Sequence, residues 1–308
     1  MQNTSALFSF HPYALHQIPQ GVSFNRKVGV TLNRKLGVIL KSDKGVTLNR
    51  TQGVTLRRNL QFPLNSSYLE RMSLEVNGDI LVLAGDIAYL GHPMLKKHPF
   101  FDWCANNYRQ TLIVPGNHEY YNGYPLENTE KCWQKDIRDN VCYINNKSFR
   151  IDDTEIFCTT LWTRVDQLQE KTVQRGMADF SLIRYNGRPL IATDYARLCD
   201  ASIEWLDKAL RASDARLKIV VSHHCPTRRT EFNNFPESSL NSAFMVDLDS
   251  FIESHPEIDY WVYGHTHFNG GPFTQAGRIG NTQLLCNQLG YIEHHEGEGF
   301  RRDAVIAF

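Results

Sequence analysis

The chain of 308 residues contains no apolar run that approaches the roughly twenty residues a helix needs to cross a bilayer. No membrane span and no membrane partner are therefore expected. Residues 1–20 carry no lysine or arginine and no continuous apolar stretch, so they lack the form of a secretory signal. The seven cysteines are odd in number and show no paired spacing, which argues against a disulfide framework and for free thiols in a reducing compartment. The cytoplasm is the expected location. What remains is ordinary for a soluble globular chain: 42% hydrophobic residues, 21% charged residues and no net formal charge.

That zero hides an uneven distribution. Residues 21–60 form five octads, GVSFNRKV, GVTLNRKL, GVILKSDK, GVTLNRTQ and GVTLRRNL, with nine basic residues against one aspartate. Residues 61–308 are acidic by the same net eight charges. An octad is too short for a helical or blade repeat and has too little apolar mass for a core. Its Val-Thr-Leu centres favour strand and its basic ends favour turns. Residues 1–53 are thus expected to be a poorly ordered basic extension, and 54–308 a single α/β domain of ample size for a core. A basic arm for nucleic acid or acidic lipid is the alternative for the octads. Against it, they hold a single aromatic residue, Phe24, and the domain they precede is acidic. Whether nucleic acid is a partner stays open.

Four short blocks in 54–308 carry metal chemistry: Gly85-Asp86, Gly116-Asn117-His118-Glu119, His223-His224 and Gly264-His265-Thr266-His267. Each follows an apolar run, at 79–84, 111–115, 217–222 and 259–263, that reads as a buried strand of a parallel sheet. Ligands leaving successive strand ends meet at the edge where α/β sheets assemble their sites. One Asp, one Asn and several His make a mixed nitrogen and oxygen set suited to Mn, Fe or Zn. No cysteine joins the set, which argues against a closed structural zinc site. A catalytic centre with one or two divalent ions is expected.

The ordered blocks resemble those of the calcineurin-like metallophosphoesterase superfamily, D-x-H, G-D, G-N-H-[E/D], H and G-H-x-H. Four of the five stand here in order, with about thirty residues from G-D to G-N-H-E. The resemblance runs from about Leu60 to Phe308 and implies an α/β fold: a two-sheet β-sandwich flanked by helices, in four layers. It implies that Asp86 bridges two ions, that Asn117, His223 and His265 complete the second, and that His267 belongs to the first. His118 would face a phosphate-ester substrate and protonate the leaving oxygen, while two ions hold a hydroxide for in-line attack. Because His223 takes the family's ligand position, His224 is expected to stand behind the ligands or to line the substrate pocket rather than to bind metal. The first block departs from the family. Members commonly carry D-L-H-L-E-F-P where this chain has Arg57-Arg58-Asn59-Leu60-Gln61-Phe62-Pro63. Arg57 puts a permanent positive charge where a carboxylate belongs. The first ion is therefore expected to bind weakly or not at all.

Helices are expected at 99–107, 126–139, 194–212 (capped by Thr193 or Asp194) and 246–254, with further strands at 141–144, 155–161, 282–287 and 303–308, the last two closing the second sheet. Segment 162–189 lacks regular apolar period and reads as a long loop over the site. Blander roles are available to single residues: Asp86 as a helix cap, Glu119 as a solvated charge, and His92, His98, His255, His294 and His295 as surface groups; contact with the pocket is open to Asp102 and Asp179, with a solvated role favoured for both. The functional classes that remain are an active metallophosphoesterase on phosphomono- or phosphodiesters, a degenerate relative that binds metal or phosphate without useful turnover, and a nucleic-acid binder working through the octads.

Overall fold

The computed structural model describes residues 40–41, 55–56, 75–229, 235, 237–269, 277–291, 294, 296–301, 303–304 and 306–307. Among the described residues, backbone pairing builds two large sheets and two two-stranded ones. The first has five strands in the order β2 (Thr55–Leu56), β3 (Ile80–Leu83), β4 (Gln110–Ile113), β6 (Val141–Asn145) and β5 (Trp133–Arg138). All pairs in it are parallel except β5 with β6. The second has six, in the order β13 (Arg278–Ile279), β14 (Thr282–Cys286), β12 (Tyr260–Tyr263), β11 (Leu217–Ser222), β8 (Thr154–Thr159) and β7 (Lys147–Ile151). Its four central strands run parallel and its two edge strands antiparallel.

Side chains at period two sort themselves onto two faces. Ile80, Val82, Leu112 and Ile144 of the first sheet meet Ile156, Cys158, Ile219, Val221 and Val262 of the second in a shared interior. The intervening residues Leu81, Leu83, Phe157, Val220 and Trp261 face outward, into a second core that includes α1 (Pro99–Asn107) and α4 (Ala192–Ala212) through Phe101, Cys104, Leu198, Leu206 and Leu210. Both faces of the central strands are buried, so these read as continuous apolar runs. The result is the α/β sandwich with outer helices that the blocks imply. Asp194 supports the start of α4: its carboxylate accepts the Ile191 N–H at 3.0 Å and is gripped by Arg188.

Several expectations are corrected. Residues 126–139 hold a single 3-10 turn (Leu126–Asn128) and then β5, not a helix. Trp133, Lys135 and Ile137 point one way and the more exposed Gln134 and Asp136 the other, a period of two on a sheet edge, where charge deters further pairing. Segment 162–189 is not a plain loop. It folds into α2 (Glu170–Gly176), α3 (Asp179–Leu182) and the hairpin of β9 (Arg184–Tyr185) and β10 (Arg188–Pro189). The helix expected at 246–254 shortens to α5 (Asp249–Glu253). β15 (Ile306–Ala307) pairs in parallel with β1 (Leu40–Lys41), not with the second sheet. No helix starts at Ile87, so Asp86 caps none. His255 is buried at 2% exposure, between the Phe251 carbonyl at 2.8 Å and Asp207 at 3.0 Å.

β1 and β2 fall within the third and fifth octads; the remaining octad residues, His295, Arg57 and Asn59 lie outside the described residues. Among the described residues, no helix is long and apolar enough to cross a membrane.

Candidate metal centre

β3 and β4 of the first sheet and β11 and β12 of the second each run into one of the four blocks. Gly85 (φ 93°) and Asp86 (φ 60°) leave β3 in left-handed backbone, and His265 (φ 69°) and His267 (φ 52°) do the same after β12. Non-glycine residues adopt such φ values uncommonly, Asn, Asp and His more often than others, and strained positions of this kind cluster at functional sites. Asn117 follows β4 and His223 follows β11. The turns are packed too tightly for side chains at the glycines. A Cβ on Gly116 would lie 2.7 Å from the Asp86 nitrogen and 2.6 Å from Cε1 of His223, and would collide with the Asp86 carboxylate.

Asp86, His223 and His265 are buried, and each places a ligand atom within 4.8 Å of the others. The His223 Nδ1 lies 2.8 Å from the Ala84 carbonyl. A carbonyl only accepts, so Nδ1 carries the proton and, in the neutral ring, Nε2 presents a lone pair. That lone pair faces the Asn117 Oδ1 at 3.0 Å, the His265 Nδ1 at 3.0 Å and the Asp86 Oδ1 at 3.5 Å. Electron-rich atoms converge here. Ligands about 2.0–2.2 Å from a shared ion stand roughly 3.0–3.6 Å apart, so the donor set fits a divalent cation. The second nitrogen held by a backbone carbonyl is the usual arrangement for a metal-binding histidine.

Glu119 and Asp179, both read as solvated from sequence, are fully buried. Glu119 accepts the backbone N–H groups of Asp86 (2.8 Å), Ile87 (2.6 Å), Ala88 (3.0 Å) and Gly116 (2.7 Å). It thereby ties the G-D turn to the G-N-H-E turn. Burial pushes its carboxyl up to about 8, the Asp86 charge adds to the rise, and the N–H donors oppose it. Asp179, at the start of α3, accepts from the Asn117 Nδ2 at 2.8 Å and from the hydroxyls of Tyr121 and Tyr195. Asp102 is the surface charge expected, paired with Arg138 at 2.8 Å.

The other candidates stand around this cluster. His118 is 13% exposed, with its backbone N–H donating to Asp86 Oδ1 at 3.1 Å and its Nε2 3.8 Å from Asp86 Oδ2. Its ring stacks on Tyr121 with centroids 4.3 Å apart. His224 is buried, its Nδ1 3.1 Å from the Thr160 carbonyl and its ring against Trp162 and His265. Its ring also meets that of His223 edge-on, with centroids 5.0 Å apart. His267 is not gathered with Asp86, His223 and His265; its Nδ1 is bonded to Glu296 and its ring meets Tyr291 at 4.7 Å.

The chain belongs to the calcineurin-like phosphoesterase family, whose model matches residues 58–269. An uncharacterised protein of Acanthamoeba polyphaga mimivirus is 28% identical over 243 residues, covering 73% of this chain and 82% of that protein. The phosphopantetheinyl hydrolase of Mycobacterium tuberculosis shares the fold, with a TM-score of 0.59 at 14% identity, over 83% of this chain and 95% of that one. Family and fold together indicate a hydrolase of the metallophosphoesterase type, a class that works with divalent metals.

Proposed function

We propose that this chain hydrolyses phosphomono- or phosphodiesters at the centre formed by Asp86, Asn117, His223 and His265, with His118 as general acid. The observation that carries the reading is the convergence of His223 Nε2 with the Asn117 oxygen and the Asp86 carboxylate, an arrangement that calls for a cation. Mn, Fe and Zn all accept this set. When bound, such an ion supplies a Lewis acid for the phosphoryl oxygens and an acidified water.

The chain's own residues do the rest. Ala84 holds the His223 tautomer through its carbonyl. Glu119 fixes the relative position of the two turns that present Asp86 and Asn117. His118 stands beside Asp86, supported on one face by Tyr121, and can deliver a proton to the leaving oxygen of a phosphate ester bound over the cluster. With Arg57 and Asn59 in place of Asp and His, we infer that one ion binds well and the other weakly. The same departure favours a second reading, a family member that binds metal or phosphate with little turnover. Seven free cysteines fit a reducing compartment such as the cytoplasm.

Asp86→Ala tests the proposal, because Asp86 is the carboxylate of the ligand cluster. Metal content by mass spectrometry and hydrolysis of an aryl phosphate and its bis ester should both be lost. Unchanged metal content would sink the assignment. Metal retained by the parent without any hydrolysis would select the second reading.

A further inference from the structure

We propose that Asp179 is a positioning residue of the metal centre, setting which end of the Asn117 amide faces the ion and placing a buried negative charge behind that neutral ligand. This rests on the reading just given. An amide side chain has an accepting end and a donating end of nearly equal size, so its partners alone decide its orientation. Asp179 Oδ1 lies 2.8 Å from Asn117 Nδ2, and a carboxylate can only accept. The amide NH₂ is thereby committed to Asp179, and Oδ1 is left 3.0 Å from His223 Nε2. Reversed, the amide would point a donor at the place a cation would occupy.

Asp179 is itself firmly held. It is fully buried. Tyr121 donates to one carboxylate oxygen and Tyr195 to the other. Tyr121 also accepts a second contact from Asn117 Nδ2 at 3.1 Å, closing a three-membered network. A phenol hydroxyl is a donor and a carboxylate only an acceptor, so both tyrosines donate their hydrogen bonds to Asp179. Among the described residues no lysine, arginine or histidine forms an ion pair with Asp179. A buried carboxylate is costly unless something compensates its charge. Hydroxyl donors supply part of that compensation, and a divalent ion one amide away would supply the rest.

The alternative is that Asp179 merely knits α3 to α4 through Tyr195. Manganese titration of the full chain, stripped of metal and followed by calorimetry with Mn²⁺ alone, separates the two. Asp179→Asn should weaken Mn²⁺ binding by about 10–100-fold, the usual cost of losing a partner that orients a ligand. The swap Asn117→Asp with Asp179→Asn restores one donor and one acceptor to the pair, and should regain at least the parental affinity. Parental affinity in folded Asp179→Asn, or a swap that regains nothing, overturns the proposal. Should Asp179→Asn fail to fold, the swap decides alone: binding within a few-fold of the parent supports it and absent binding refutes it. Absence of Mn²⁺ binding in the parent, or binding that survives Asp86→Ala, instead refutes the underlying site.

Discussion

Replacing Gly85 by alanine loads two separable costs onto one turn. The first is conformational: Gly85 sits at φ +93°, where a Cβ costs on the order of 1–2 kcal/mol. The second is steric. The new Cβ would stand 2.8 Å from the Gly116 nitrogen and 2.9 Å from its Cα, both backbone, and would press on the His223 Nδ1. Overpacking of this kind costs roughly 1–3 kcal/mol. The sum is about 2–5 kcal/mol, which in a domain of this size lowers the melting temperature by roughly 5–20 °C. Gly123→Ala is the control, because Gly123 has φ +71° but nothing within 4 Å of its Cβ position. It bears only the conformational cost, about 1–2 kcal/mol or at most about 8 °C. Calorimetric melting of the metal-stripped proteins measures the difference. A second consequence follows from His223, whose Nδ1 must shift away from the Ala84 carbonyl. Mn²⁺ affinity should therefore fall by at least about tenfold in Gly85→Ala and stay unchanged in Gly123→Ala. If Gly85→Ala melts no lower than Gly123→Ala, or keeps parental Mn²⁺ affinity, the account of the turn is wrong.

Three further outcomes are expected. His118→Asn should retain metal but lose about 10²–10⁴-fold in rate on alkyl phosphates, with a much smaller loss on nitrophenyl esters, since good leaving groups need little general acid; equal losses on both would remove His118 from that role. Arg57→Asp combined with Asn59→His should raise bound metal from about one to about two ions per chain and speed hydrolysis, as two-ion clamping requires. This supposes that the residues after β2, which ends at Leu56 opposite Leu83 and next to the strand carrying Asp86, still serve the first block; a gain in neither metal nor rate refutes it. A thiol reagent should label a single cysteine of the native chain quickly, Cys132, because the other six are buried; rapid labelling of several would contradict the packing.

The family was legible in the chain itself, because strand ends followed by G-D, G-N-H-E, H and G-H-x-H in that order leave few other readings. The strands behind those blocks were legible for the same reason: a strand buried on both faces leaves an apolar run, as in Leu217–Ser222. Periodicity likewise exposed α4, where one face must be apolar over five turns. It failed at β5, because an edge strand rich in charge carries no such run and its sequence resembles a polar helix. The tertiary structure alone decided the fate of the carboxylates. Glu119 finds donors 31 to 33 residues away in sequence, and Asp179 finds Asn117 at a separation of 62. A buried charge is recognisable only once the donors that compensate it are known, and those are brought together by the fold. The same holds for His255 and Asp207 and for the tautomer of His223, which depends on a carbonyl 139 residues distant. Local pattern reports which face of an element is apolar; it carries no record of which distant polar group will meet a charge once that face is packed.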